Sequence, residues 1–352
     1  MTSLLSKENT DNLISAPMAG FTNSPLRKMF AENGAYRIFS EMVHVREILN
    51  LNLWEIPIFL ENYNYTIQLF GSIDDDFIEA ISKILDFADN FDINCGCPVK
   101  KVIKAKGGAF WLKDIDKLIK KVDQISRKFK GKVSIKIRVG FDKPELLDLI
   151  SNLNDTEVEY ITIHMRTATM LFKGEPLYEL YEQVSHFPKP MIVNGNITSP
   201  MIAKKLFEKY KPSGLMIGRA AIENPAIFKE ISFYLKEGRL CTENKLNKID
   251  FLISYFENML DYVNSYPFFN LIPEPLKEKA LSKYDNSKNE ADRKKFLKKT
   301  IVESRKIAFN IIKGYPEAYL IKQNILSLEN LEDVKNFIQQ TKIESHKSKV
   351  RK

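Results

Sequence analysis

Through the first 240 of the 352 residues, short β-branched and apolar runs alternate with stretches of helical period. The runs predict strands at Leu13–Pro17, Tyr36–Met42, Thr66–Phe70, Phe91–Asn94, Val133–Val139, Tyr160–His164, Met191–Asn194 and Gly214–Ile217. The stretches between them are amphipathic. In Asp114–Lys130, Ile115, Leu118, Ile119, Val122 and Ile125 recur at helical spacing, while Lys117, Lys120, Lys121 and Asp123 fill the opposite face. Asp74–Asn90 repeats the pattern through Phe77, Ile78, Ile81, Ile84, Leu85 and Ala88. Asp74, Asp114, and Ser199 followed by Pro200 are the expected helix caps. Strands alternating with helices pair in parallel through right-handed crossovers, and a count of eight matches an α/β fold of the (β/α)8 TIM-barrel type. A doubly wound open sheet for a dinucleotide needs a glycine-rich first turn, and Pro17-Met18-Ala19-Gly20 is not one.

Beyond residue 240 the strand pattern ends. Helices are predicted at Leu246–Tyr266, Glu274–Tyr284, Glu290–Ile312 and Leu331–Gln340, so a small all-α helical domain follows the barrel. The expected division is a barrel over 1–240, a helical domain over 241–341 and a frayed basic tail, KIESHKSKVRK, over 342–352. Charge sharpens that division. The formal charge is +8; residues 1–240 carry 32 basic and 30 acidic side chains, and residues 241–352 carry 21 and 15, so most of the excess lies in the last third. Clustered Lys and Arg suit a polyanionic partner, although plain solubility of a lysine-rich chain accounts for the same excess.

No apolar run reaches the ~18 residues of a membrane span, and the N-terminus turns polar before a signal-peptide core forms. A soluble, cytoplasmic protein is expected, with no membrane partner and a monomer favoured by the charged helical surfaces. Three cysteines (Cys95, Cys97, Cys241) are too few for a disulfide framework, and four histidines without metal-ligand spacing leave no expected metal site.

Active sites of such barrels gather at the C-terminal ends of the strands. Unusual polar residues collect there on nearly every strand: Ser40 and Glu41, Gln68, Asn94 to Cys97, Lys136 and Arg138, His164 with Arg166, Asn194-Gly195-Asn196, and Gly218-Arg219. Loops after the seventh and eighth strands commonly cradle a phosphate; their glycines permit close backbone approach and Arg219 supplies a forked cation, so a phosphorylated cofactor is the natural occupant. Lys136 enters the barrel from mid-strand, where an unpaired ammonium costs several kcal/mol. It needs an anion or polar ligand, unless it is a depressed-pKa amine for Schiff-base chemistry.

Assembled, these residues resemble the tRNA-dihydrouridine synthase family. The matching stretches are APMAGFTNSPLR (16–27), SEMV (40–43), IQLFGS (67–72), DINCGCPVKKV (92–102), SIKIRVG (134–140), ITIHMRT (161–167), MIVNGNI (191–197) and LMIGRAAIENPAIF (215–228), in the family's order along the barrel. The resemblance implies FMN at the barrel mouth, with the flavin ring against Pro17, Met18 and Ala19. Gln68, Lys136 and His164 would surround its polar edge, and Asn194, Gly195, Asn196, Gly218 and Arg219 would hold the phosphate and ribityl end. It further implies NADPH or NADH as reductant and tRNA as substrate. By the same resemblance a hydride would pass to C6 of uracil, and Cys97 would protonate C5 while Asn94, Arg138 and Arg166 would contact substrate. Cys95, its neighbour on the extended segment, is expected to pack as a small hydrophobe. His164 has three open roles: flavin contact, substrate contact beside Arg166, or a structural one. Glu41 is expected to anchor backbone or Arg138.

Uracil is stacked in folded tRNA, so the base must leave its stack while its flanks are gripped. Arg293, Lys294, Lys295, Lys298, Lys299, Arg305 and Lys306 are the candidate grip, a solvated helix face being the alternative. The chain departs from the family pattern at Asn196, where an acid is usual; at Ala168 and Met170; and in KGGAFWL (106–112), whose Phe110 and Trp111 either stack or pack. Three other readings compete: a flavin barrel dehydrogenase for a small pyrimidine or enone, a lyase using Lys136 as a Schiff-base amine, and an RNA-binding protein that kept the fold and lost catalysis, for which intact Cys97 and Lys136 are awkward.

Overall fold

The structure, a computed structural model, describes residues 4–6, 8–50, 64–240, 248–265 and 289–350. Eight strands form one sheet: β1 (Leu13–Ser15), β2 (Ile38–His44), β3 (Tyr65–Phe70), β4 (Asn90–Cys95), β5 (Val133–Arg138), β6 (Ile161–His164), β7 (Met191–Asn194) and β8 (Gly214–Ile217). Every pairing is parallel, in the order β1-β8-β7-β6-β5-β4-β3-β2. A parallel bridge between Ile14 and Arg37 brings the two ends of that order together, giving the nearly closed TIM barrel expected from the sequence.

Outside the strands lie α1 (Ser24–Glu32), α2 (Val45–Asn50), α3 (Phe77–Lys83), α4 (Lys100–Lys104), α5 (Ile115–Lys128), α6 (Leu146–Asn154), α7 (Pro200–Tyr210), α8 (Arg219–Glu223) and α9 (Ile227–Glu237). The caps follow simple chemistry. Asp114 accepts from Lys117 N at the start of α5, and Ser199 accepts from Ile202 N at 3.3 Å with Pro200 at the first helical position. Asp76, not Asp74, caps α3 by accepting from Glu79 N. The helix expected over Asp74–Asn90 is correspondingly shorter, because a 3-10 turn occupies Leu85–Phe87 and Asn90 already belongs to β4.

Two apolar cores result. The outer one, between strands and helices, takes the outward strand positions Ile67, Leu69, Ile93, Ile135, Ile137, Ile163 and Val193. The inner one is made of Ile14, Ala16, Phe39, Tyr160, Ile192 and Met216, with Leu4 and Leu5 and with Met18 packed against it.

A helical region follows, made of α10 (Lys248–Asn264), α11 (Asn289–Ile311), α12 (Ala318–Leu326) and α13 (Leu331–Val350). The helix expected at Glu274–Tyr284 lies outside the described residues. α13 overruns its expected end at Gln340, so 342–350 are helical and not a frayed tail. No Gly or Pro interrupts this stretch, and Lys342 Nζ lies 2.6 Å from Glu257 Oε1 of α10. The region docks beside the mouth: Asn23 donates to the Tyr255 hydroxyl (3.0 Å), Lys28 to Asn258 Oδ1 (2.8 Å), and Lys313 pairs with Glu223 of α8 (2.7 Å). No helix among the described residues is long and apolar enough to cross a membrane.

Replacing Ser199 with Ala removes the only side-chain cap of α7 and is expected to lower stability by about 1 kcal/mol, read as a lower midpoint in urea unfolding of the full chain.

Candidate active site

Because alternate residues of a strand face opposite sides, the inward positions of β3 to β6 form one polar wall. The sheet register aligns Gln68 with Asp92 and Asp92 with Ser134; one layer up, Asn94 with Lys136 and Lys136 with Thr162; at the mouth, Arg138 with His164 and His164 with Asn194.

Asp92 is fully buried, and its oxygens accept from Gln68 Nε2 (2.8 Å) and Ser134 Oγ (2.7 Å). Burial raises its carboxyl from 3.8 to about 6, against the lowering influence of Gln68, Ser134 and the charge of Lys136. Gln68 uses its other end to accept from Asn94 Nδ2 at 2.7 Å, so its amide links Asp92 to Asn94. Asn94 also donates to Met42 Sδ (3.0 Å), and its Oδ1 accepts from the backbone N–H groups of Gly96 (3.1 Å) and Cys97 (2.9 Å). Its amide therefore shapes the turn that carries Cys97.

The two cysteines, two residues apart, would share a face in a continued strand; they separate because β4 ends at Cys95 and the chain turns at Gly96 and Cys97 around Asn94 Oδ1. Cys95 is wholly buried in the outer core, and Cys97 is half-buried at the mouth. The Cys97 carbonyl accepts from Ala109 N at 3.0 Å, and Gly108, with φ 58°, is required beside it: a Cβ there would lie 2.7 Å from that carbonyl oxygen. Trp111 packs: it is buried, donates to the Gly71 carbonyl (3.1 Å) and meets Phe77 edge-on. Burial raises the Cys97 thiol, opposed by a hydrogen bond from the Val99 backbone and by the charges of Lys136 and Arg138.

Lys136, Arg138, Arg166 and Arg219 all act electrostatically on His164. Burial first and those four charges next hold the imidazole well below its ordinary 6.5, so it is neutral. Burial brings Lys136 down to about 8 and Arg138 to about 10. Among the described residues none of the four cations forms a salt bridge. Arg138 is spent on backbone carbonyls, of Gly96 (2.8 Å), Thr167 (2.8 Å) and Leu171 (2.7 Å). Buried Arg166 donates to the carbonyls of Lys173 (3.1 Å) and Gly174 (2.6 Å), while its Nη1 has no partner; buried His164 Nδ1 has none either.

The turns beyond β7 and β8 complete the rim. Arg219 Nη2 donates to Asn196 Oδ1 (3.3 Å), and Asn194 Nδ2 to the Met216 carbonyl (2.7 Å). A Cβ on Gly195, whose φ is 134°, would lie 3.8 Å from the orphaned Arg166 nitrogen. Gly218 sits beside Met18, with 3.6 Å between its would-be Cβ and the sulfur, which brings the apolar wall of Pro17, Met18 and Ala19 to the phosphate-type turn. Glu41 accepts from Gly20 N, anchoring that wall's loop and not Arg138.

Three residues escaped the sequence reading. Asp92 shares its strand phase with Asn94, which was the available signal. Phe172 lies 51% exposed between Arg138 (5.3 Å) and Arg219 (5.4 Å), edge-on to His164. Phe21 lies under Lys306 of α11, whose Nζ is 3.5 Å from the ring centroid. Neither loop aromatic has a periodic signal.

Among the candidate RNA contacts, Arg293, Lys294, Lys295, Lys298 and Lys299 are exposed on α11, with Lys299 3.9 Å from Glu303. Arg305 is a correction: it is half-buried, donates to the Leu328 carbonyl (2.7 Å) and ties α11 to the turn after α12, because its helical phase turns it inward. No group of metal-ligating side chains occurs among the described residues.

The sequence profile of the dihydrouridine synthase family matches residues 14–346. A probable tRNA-dihydrouridine synthase of Aquifex aeolicus is 29% identical over 339 residues, covering 94% of this chain and 96% of that protein. One from Helicobacter pylori strain 26695 is 31% identical over 268 residues (72% and 79%), and tRNA-dihydrouridine synthase B of Klebsiella pneumoniae is 32% identical over 242 (65% and 74%). Among solved structures, the old yellow enzyme homologue of Zymomonas mobilis is similar at TM-score 0.46 and 12% identity, covering 65% of this chain and 90% of its own, a likeness too distant to bear on function.

The raised carboxyl of Asp92 has a stability signature. The fold holds its proton more tightly than the unfolded chain, so the stabilisation is complete below 3.8 and lost as pH rises through about 6. Asp92→Asn, which has no proton to lose there, is expected to flatten that fall in melting temperature between pH 4 and pH 7, as measured by thermal scans of both proteins.

Proposed function

Because the chain belongs to the dihydrouridine synthase family, a family of oxidoreductases, we propose that it reduces the C5=C6 bond of uridines in tRNA. In this reading flavin mononucleotide is bound at the barrel mouth, and NADPH or NADH supplies the electrons. The reading rests on the rim: Lys136, Arg138, Arg166 and Arg219 gather without a salt bridge beside a half-buried thiol, and Arg166 Nη1 and His164 Nδ1 are buried without partners. An orphaned buried donor costs about 1–3 kcal/mol, and like charges add to that. A bound phosphate relieves both, so the donor set suits the phosphate end of this cofactor.

Arg166, Arg219, Asn196 and the Gly195 and Gly218 backbone would hold that phosphate, with Asn194 holding the adjoining backbone in place. Pro17, Met18 and Ala19 would form the apolar wall for the ring, and Lys136 would face its polar edge. When bound and reduced, the flavin would supply a hydride to C6 of uracil. The Cys97 thiol then delivers its proton to C5. Its raised pKa keeps Sγ protonated at neutral pH, and the charges of Lys136 and Arg138 ease its departure as thiolate. Asn94 acts through the Cys97 turn, and Gln68 through Asn94. Arg138, bonded to three carbonyls, would shape the loop that bears Phe172 while presenting charge to the base. Arg293, Lys294, Lys295, Lys298 and Lys299 would meet the RNA backbone, a barrel domain and a helical domain thus sharing one substrate. Lys306, over Phe21, lies where that grip adjoins the mouth.

Cys97→Ala is expected to retain bound flavin while uridine reduction falls at least ~100-fold, measured on tRNA from cells lacking the modification; full activity would overturn the acid assignment. Charge reversal at Lys295 and Lys298 is expected to weaken tRNA binding and flatten its dependence on salt, leaving flavin reduction by NADPH unchanged. Filter binding across a salt series, alongside stopped-flow flavin absorbance, checks both halves.

A further inference from the structure

We propose that Asp92 is a positioning residue for Cys97: it is the acceptor-only end of a one-way hydrogen-bond chain, through Gln68 and Asn94, that sets the turn holding the thiol. The proposal rests on the reading of Cys97 as the proton donor, but its geometry does not.

The direction of the chain follows from what each group is able to do. An ionised carboxylate accepts only, whereas a primary amide donates from one end and accepts at the other. Asp92 Oδ2 lies 2.8 Å from Gln68, so Gln68 must turn its NH2 towards it and its carbonyl away. That carbonyl lies 2.7 Å from Asn94, which must answer with its own NH2. Asn94 then has only its carbonyl left for the turn, and two backbone N–H groups, of Gly96 and Cys97, converge on it. Each link excludes the opposite orientation of the next, so the charge on Asp92 decides the conformation of a turn two residues beyond the end of its strand. Serine at the other carboxylate oxygen, Ser134 Oγ at 2.7 Å, fixes the carboxylate plane. Every member of the chain is buried, so water cannot readily replace a broken link.

The consequence for the thiol is specific. In this turn the charges of Lys136 and Arg138 act on the Cys97 sulfur and favour its thiolate. With asparagine at position 92 the chain loses its fixed direction: Gln68 is free to flip, Asn94 is free to follow, and the turn no longer holds the sulfur against those charges. A second substitution restores the direction. In Asp92→Asn with Gln68→Glu, the acceptor-only group moves to position 68, where it takes an N–H from residue 92 and another from Asn94, so Asn94 again points its carbonyl at the turn.

The test is alkylation of Cys97 in the full-length protein saturated with flavin mononucleotide, followed by peptide mass spectrometry over a pH series. Asp92→Asn is expected to move the midpoint of alkylation upward by about one pH unit and so to slow it about tenfold near neutral pH. The paired variant is expected to recover most of the native profile. An Asp92→Asn protein that alkylates at the native rate or faster, as loss of a nearby negative charge alone would give, overturns the proposal. So does a paired variant no better than the single one. Cys97→Ala with full activity would remove the proton-donor reading while leaving this alkylation result untouched, so the two failures are distinguishable.

Discussion

The register of the parallel sheet is the constraint on which the whole site depends. Seven pairings keep Gln68, Asp92 and Ser134 in one layer, Asn94, Lys136 and Thr162 in the next, and Arg138, His164 and Asn194 at the mouth. A slip of one residue in β4 or β5 would exchange them for Ile93, Ile135 and Ile137, whose side chains fill the outer core. The helices enforce that register, since burying those isoleucines is worth roughly 1.5–3 kcal/mol each. Function inside the barrel is thus held in place by hydrophobic packing outside it.

The same parity divides the interior into unlike halves. β3 to β6, with Asn194 of β7, contribute amides, hydroxyls and charges, while Ile14, Phe39, Ile192 and Met216 of β1, β2, β7 and β8 pack with Ala16 and Tyr160. A flat group with an apolar face and one polar edge suits such a chamber, and a fully polar or fully apolar ligand does not. The helical region reaches this chamber from the β1 and β8 side, through Tyr255 on Asn23, Lys306 over Phe21 and Lys313 on Glu223. The basic face of α11 therefore stands beside the mouth without contributing to the polar wall.

Much of this was legible in the sequence, for reasons that also explain what was not. β7 and β8 fall on the expected residues because Pro190 and Gly218 bound their apolar runs, and Ser199 caps its helix because a hydroxyl followed by proline has few other uses. Asp74 lost its expected cap to Asp76, since the aspartates 74 to 76 offer the same chemistry and tertiary packing chooses among them. Residues 342–350 read as a tail by charge alone, yet nothing in them breaks a helix and Lys342 finds Glu257. At the site, strand phase revealed Lys136, Arg138 and His164. It also contained Asp92, which passed unnoticed because an acidic residue between apolar neighbours reads as a strand edge until its partners are known. Phe172 owes its position to Leu171, a bulky residue at φ 53° whose carbonyl is held by Arg138, and no local pattern encodes that.

Charge balance explains why the polar wall is layered as it is. Four cations, Lys136, Arg138, Arg166 and Arg219, meet in the chamber one fully buried carboxylate, Asp92, which lies a layer below the mouth and acts on Lys136. Arg138, Arg166 and Arg219 remain around the rim without a salt bridge among the described residues, with Glu175 acting on Arg166. A phosphate monoester, carrying about two negative charges, would suit such a rim. Were a carboxylate placed among the arginines, it would satisfy them permanently, and the site would gain stability at the expense of affinity for an anionic ligand. Keeping the acid one layer deeper, bonded to Gln68 and Ser134, lets it direct the Cys97 turn without competing for the rim.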